Sequence, residues 1–277
     1  MLLLGLWQLS RADEKISLME RADNALRARP VPLAGLDLIN TEPSSAVISP
    51  AKATNTGEQH YTRVLVQGEW VSDRQFLWDN RIHKGVAGYE VLTPLLLSGK
   101  ELPGGLSVAQ QAVVLVNRGW VAAGRYRTEL PDISMQAEQT TSNTAAPLTD
   151  LRHRVSVEGL LTTPSKGFAS GEALAQRQSN GQDREWPLTL QFIDYAAIAD
   201  VLGMSVVVGV VQGTRLSTPE DEAALLYRNN WSPVANGPEK HYGYAFQWFA
   251  MFIALCVIFI VTNLKKEDQL IAGHEKS

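Results

Sequence analysis

Cysteine is nearly missing from this chain, and that absence removes two whole classes of structure. The single Cys256 excludes an intrachain disulfide and any cysteine-based zinc site. Its setting in an apolar run fits a small apolar filler. An excess of positive charge is also lacking: the formal net charge is -4, with no dense Lys/Arg patch and no RNA-binding aromatic motif, which argues against a nucleic-acid partner. No repeat of 20–50 residues is visible. The chain has no His-Glu-x-x-His, no Walker loop, no Gly-x-Gly-x-x-Gly after a strand and no Gly-x-Ser-x-Gly elbow. Gly167-Phe168-Ala169-Ser170-Gly171 has the wrong spacing for that elbow and reads as a turn. His60, His83, His153, His241 and His274 form no pair at metal-ligand spacing. The expectation is a protein that is not an enzyme.

One long uncharged run is present. Tyr244 to Leu264 is 21 residues without a charge, and at 1.5 Å per residue it spans roughly 31 Å as a helix, close to the bilayer core. Tyr242, Tyr244 and Trp248 crowd one end as an interfacial belt would, and Lys265 and Lys266 follow the other. Lys265, Lys266 and Lys276 after the run outnumber Arg228 and Lys240 before it, which places the C-terminus in the cytoplasm and the soluble part in the periplasm (or a mitochondrial intermembrane space). At the other end, Met1 to Leu9 is uncharged but too short to span. Two readings stay open there: the last turns of a membrane helix whose beginning is missing, or a short helix lying at the interface.

Between the two apolar ends the pattern is helical to about Ala28 and is stopped by Pro30 and Pro32. From Tyr61 the period becomes two, with candidate strands Thr62–Trp70, Gln75–Asp79, Tyr89–Leu97, Ala112–Val116, Val155–Thr163, Leu188–Phe192 and Ser205–Thr214. Ser134–Thr149 and Phe168–Asp183 read as polar loops. Asp194 N-caps a short helix that ends at Gly203. Such spacing predicts a β-rich α+β domain, an antiparallel barrel or sandwich, between membrane segments. The expected division is 1–10 as the remnant of a first membrane helix, 11–28 as a helix leaving the membrane, and 29–60 as a linker loop. Residues 61–241 are the β-rich domain, 242–264 the transmembrane helix and 265–277 a cytoplasmic tail.

Four stretches carry candidate function. In Gly5-x-Trp7-Gln8-x-x-Arg11-x-x-x-Lys15, Gln8, Arg11 and Lys15 form a polar helical stripe, either snorkelling to lipid phosphates or docking an anionic group or partner. Asp79-Asn80-Arg81 followed by Gly85-x-x-Gly88-Tyr89-Glu90-Val91-Leu92-Thr93-Pro94 reads as strand, turn, strand. Val114 to Val121 ends a strand on Asn117-Arg118-Gly119-Trp120. Arg81 and Arg118 fit surface arginines or sheet-spanning salt bridges. In the fourth stretch His241, Tyr244, Ala245 and Trp248 share one helical face. That face suits an ordinary interfacial histidine, or an imidazole ligand to iron with aromatic rings against a porphyrin.

Taken in order along the chain, these four stretches resemble the surfeit-locus family of cytochrome c oxidase assembly factors, in a bacterial member. The resemblance rests on the Gly-x-Trp-Gln-x-x-Arg-x-x-x-Lys start, Asp-Asn-Arg with Gly-Tyr-Glu-Val-x-Thr-Pro, Val-Asn-Arg-Gly-Trp-Val, and His-x-x-Tyr-Ala-x-Gln-Trp-Phe. It implies two membrane helices bracketing a β-rich periplasmic domain in the inner membrane, and a role in presenting or inserting haem a into subunit I. On that footing His241 is the expected axial ligand, Tyr244 and Trp248 pack on the macrocycle, Arg11 and Lys15 meet the propionates, and Gln8 is a further cofactor-binding residue. The implied partners are oxidase subunit I, other oxidase assembly factors and the lipid bilayer. A haem-free scaffold working through a partner surface of Arg81, Tyr89, Arg118 and Trp120 is the alternative.

Overall fold

The computed structural model describes residues 1–36, 38–40, 47–50, 61–97, 111–126, 129–133, 135, 154–163, 186–216, 231–234 and 237–274. The chain divides into two compact units, Met1–Asp23 with Ser232–Ser277, and Asn24–Trp231. Apart from Met135, the polar loops expected at Ser134–Thr149 and Phe168–Asp183 lie outside the described residues.

The larger unit is built on strands β1 (Val31–Pro32), β2 (Leu38–Asn40), β3 (Val47–Pro50), β4 (Tyr61–Trp70), β5 (Phe76–His83), β6 (Val86–Leu97), β7 (Ala112–Ala122), β8 (Arg154–Thr162), β9 (Leu188–Leu190) and β10 (Ser205–Leu216). Their pairings close a ring, β4–β8–β10–β7–β6 and back to β4, where Gly68–Trp70 meets Leu95–Leu97. β5 and β9 extend the sheet beyond β6, while β1 joins β4 and β3 joins β10. The expectation of an antiparallel sheet is corrected: β10 runs parallel to β7 and to β3, β1 parallel to β4, and β9 parallel to β5. Parallel neighbours need a long crossover. Between Ala122 and Ser205 the chain has room for one, carrying β8, β9 and helix α2 (Tyr195–Leu202). The segment 29–60, expected as a plain linker, supplies three short strands to this sheet.

The core lies on both faces of the ring. Val64, Val66, Leu95, Val114, Val116, Val157 and Val211 fill one cluster. Val113, Leu115, Val206 and Val210 point the other way, against Phe76, Leu92 and the Ile198 and Leu202 side chains of α2. β7 is therefore buried on both faces, which explains its unbroken apolar run where a half-exposed strand would alternate. Helix α2 starts as expected, with the Asp194 carboxylate accepting from the Ala196 and Ala197 amides at 3.1 and 3.2 Å. It stops at Gly203, whose φ of 68° is the left-handed cap conformation glycine adopts cheaply. At the N-terminal edge of the unit, Arg63 on β4 donates to the Leu26 and Ala28 carbonyls at 2.6 and 2.9 Å and pairs with Glu158 on β8. Those carbonyls end helix α1 (Leu2–Arg27), so a β-strand arginine satisfies its last turn.

The smaller unit pairs α1 with helix α3 (Pro238–His274). The two run antiparallel: Gly5 faces the Phe249 ring, and three residues on Gln8 meets His241. Helix α3 continues to His274, beyond the span expected at 242–264. Its segment Pro238–Lys265 has a peak mean hydropathy of 2.3 and is almost wholly unburied, as a lipid-facing helix would be. The two polar side chains near its end are satisfied along the helix: Thr262 Oγ1 donates to the Ile258 carbonyl at 2.8 Å, and Asn263 Nδ2 to the Phe259 carbonyl at 2.8 Å. Among the described residues α3 is the one helix long and apolar enough to cross a membrane. Helix α1 is apolar only as far as Leu9 and turns charged from Arg11.

Candidate functional site

Helix α3 opens with Pro238, which has no amide hydrogen to leave unpaired, and with acidic Glu239 in its first turn. One turn in, His241 is half-buried, and its Nδ1 lies 2.7 Å from Gln8 Oε1 of α1. The face His241, Tyr244, Ala245, Trp248 is divided by this packing. Ala245 is buried, His241 and Trp248 are half-buried, and Tyr244 stays exposed. Gly5 on α1 and Ala245 on α3 are both buried, and Phe249 packs over Gly5.

The stripe expected on α1 divides as well. Seven residues bring Lys15 to within about 20° of Gln8 around the helix, but three leave Arg11 about 60° away. Lys15 is accordingly half-buried on the Gln8 side, whereas Arg11 is exposed. The Arg11 guanidinium pairs with Glu14 and lies 5.8 Å from the centre of the Trp7 ring. Gln8 and His241 are thus brought into contact, while Arg11 is engaged on its own helix.

The strand motifs converge on a second polar cluster, and it is interior. Tyr89 and Arg118 are each 3% exposed and Trp120 is 9% exposed. An exposed partner surface of Arg81, Tyr89, Arg118 and Trp120 is therefore corrected, because three of the four are used inside the fold. Arg118 donates to Gln75 Oε1 at 2.7 Å, and Thr93 Oγ1 donates to the same oxygen at 2.9 Å. Trp120 Nε1 donates to the Arg81 carbonyl at 2.9 Å, and Gly88 leaves room for its ring. A Cβ at Gly88 would sit 2.6 Å from Trp120 Cε2. Arg81 itself is half-exposed, with its guanidinium 3.3 Å from the centre of the Trp78 ring.

Glu90 lies beside this group on β6, buried, and accepts from Asn117 Nδ2 at 2.8 Å. The same Nδ2 donates to Gln212 Oε1 at 2.8 Å, and Gln212 Nε2 to Thr162 Oγ1 at 3.1 Å. A polar chain therefore crosses β6, β7, β10 and β8 in turn. Gln75, Thr162 and Gln212 lie outside the motifs, and Thr93 stands within one that gave it no role of its own. The available signal was a lone polar side chain inside an apolar strand, as in Val91-Leu92-Thr93 and Val210-Val211-Gln212.

Burial pushes the Glu90 carboxyl above its ordinary range, against the opposing pull of the Arg81 charge and the Asn117 hydrogen bond. Burial likewise lowers Arg81, partly offset by Glu90. A carboxyl that holds its proton to higher pH when folded makes the native state bind more protons than the unfolded one. Stability from this group is full below the ordinary carboxylate range and is lost as pH rises through the folded value. Glu90→Gln is expected to remove that slope. The stability difference, wild type minus variant, should fall as pH rises through this window. Denaturant titration of the full chain in detergent across that range measures it, and parallel pH profiles for both proteins would contradict it.

Comparison with known proteins adds two findings. A family model described as "SURF1 family" matches residues 1–253. A curated "SURF1-like protein" from Dictyostelium discoideum is 28% identical over 120 residues, which is 43% of this chain. The match spans 38% of the length of that protein.

Proposed function

The chain belongs to the SURF1 family, which is associated with cytochrome c oxidase assembly, and from that premise we propose that it is a membrane-anchored assembly factor that holds haem a and presents it to subunit I of a haem–copper oxidase. The observation that carries the haem part is the imidazole of His241. It stands half-buried in the first turns of the apolar helix, with one ring nitrogen on Gln8 and aromatic Tyr244 and Trp248 close by on the helix. An imidazole with adjacent aromatic surface is a donor set that suits haem iron and a porphyrin plane. Haem, when bound, supplies the iron and the macrocycle. His241 would hold the iron through its imidazole, with Tyr244 and Trp248 as apolar walls and Lys15 and Arg11 as cations for carboxylates. Arg11 already takes one carboxylate, that of Glu14.

In this reading α3 crosses a bacterial inner membrane, the strand unit is periplasmic, and Met1–Leu9 enters the same bilayer as a second membrane segment. Subunit I and other oxidase assembly factors are the partners, and the work is delivery, with no catalysed reaction. The test is haem content. Full-length protein purified from cells making haem a should show a haem a spectrum, and His241→Ala should lose most of it, roughly tenfold or more. Equal haem in both proteins would sink the ligand assignment. Crosslinking to oxidase subunits with no haem in either protein would favour the scaffold reading, which the burial of Tyr89, Arg118 and Trp120 makes the weaker of the two.

A further inference from the structure

The contact at His241 names a second residue of the same site. We propose that Gln8 is a positioning residue: it fixes the tautomer of His241, keeping the proton on Nδ1 and presenting the Nε2 lone pair. The functional use of this device rests on the haem reading, but its chemistry does not.

A neutral imidazole carries one N–H and one lone pair, and an amide oxygen can only accept. With Gln8 Oε1 placed 2.7 Å from Nδ1, that nitrogen must be the donor. The distance lies at the short end of the N–H···O range, so the contact is a full hydrogen bond. It joins residues 233 positions apart, from two different helices, so it exists only when α1 and α3 pack. Ligating histidines generally hand their second ring nitrogen to such a partner, which fixes the ring and sets its strength as a donor. A carboxylate in that place would raise the basicity of the imidazole further. The neutral amide of Gln8 orients the ring without that increase, which suits a protein that must let its cargo go.

The measurement is nitrogen NMR of the full chain in detergent micelles, with ¹⁵N-labelled histidine and no haem added. His241→Ala identifies which ring signals belong to His241. Wild type should show a protonated Nδ1 and an unprotonated Nε2. Gln8→Leu should move the proton to Nε2, and Gln8→Glu, which keeps an acceptor, should leave it on Nδ1. In cells making haem a, haem content should fall roughly tenfold or more in Gln8→Leu and hold in Gln8→Glu. An Nε2–H signal in wild type, or an unchanged tautomer in Gln8→Leu, overturns the assignment of Gln8. If the tautomers behave as stated but His241→Ala keeps its haem, the haem reading fails and the Gln8 assignment stands.

Discussion

Asn117→Leu is expected to destabilise the strand unit by about 3–5 kcal/mol, because it leaves three buried polar groups unmet at about 1–3 kcal/mol each. Leucine nearly matches asparagine in shape, so little packing is lost at this 4% exposed position. What is lost is hydrogen bonding. Asn117 Nδ2 serves both Glu90 Oε2 and Gln212 Oε1, and Asn117 Oδ1 accepts from the Gly119 amide at 2.8 Å. Leucine leaves a carboxylate, an amide oxygen and a backbone N–H in the interior without these partners. Each unmet group costs about 1–3 kcal/mol, more where it is charged. Against a typical total of about 5–15 kcal/mol, the loss should move the urea midpoint of the full chain far toward zero. The Asn117→Leu/Glu90→Gln double variant should recover part of it, because the stranded group is then neutral. A midpoint unchanged within error, or no recovery in the double variant, would show that Glu90 finds other solvation when Asn117 is gone.

The same network explains what could and could not be read along the chain. Period-two alternation located β4, β6, β8 and β10 closely, and Asp194 with Gly203 marked α2 to within a residue. These signals are local. Strand partnership is not, because alternation looks the same in parallel and antiparallel ladders, and β10 pairs with β7 only through a crossover. β7 was also expected to stop at Val116, since Asn117-Arg118 looks like a strand end. It continues to Ala122 because Asn117 and Arg118 bond inward to Glu90, Gln212 and Gln75. β5 likewise runs past Asp79 to His83, through a bulge where Asn80 adopts a φ of 59°. Arginine and tryptophan suggested a binding surface by residue type alone, and residue type does not report burial. For the helix pair, Gln8 and His241 were both expected in one site. Their contact could not be read from either motif, because it depends on how closely α1 and α3 approach.

That approach depends on Gly5, and Gly5→Leu is expected to separate α1 from α3. A Cβ at Gly5 would lie 2.5 Å from Phe249 Cε1 and 2.7 Å from Cζ, inside contact distance, and leucine adds three more carbons beyond it. Overpacking of this kind costs about 1–3 kcal/mol in a tight interface. Small residues are what allow helices to meet closely where apolar surface gains little from leaving lipid. Gly5 fills that role here, buried under the Phe249 ring. Separation should carry position 8 on α1 away from position 241 on α3, which are in contact when the helices pack. The readout is crosslinking between cysteines placed at positions 8 and 241 in a Cys256→Ser background, using a short bifunctional maleimide. The pair should link efficiently with Gly5 in place and several-fold less with leucine. Because the clash is with one ring, Gly5→Leu/Phe249→Ala should restore linking, and that coupling between neighbouring side chains separates a steric cause from a general loss of helix. Unchanged linking in Gly5→Leu would mean that the Phe249 ring swings aside at no cost to the pair. Failure of the Phe249→Ala rescue would place the contact that holds the helices at some other residue.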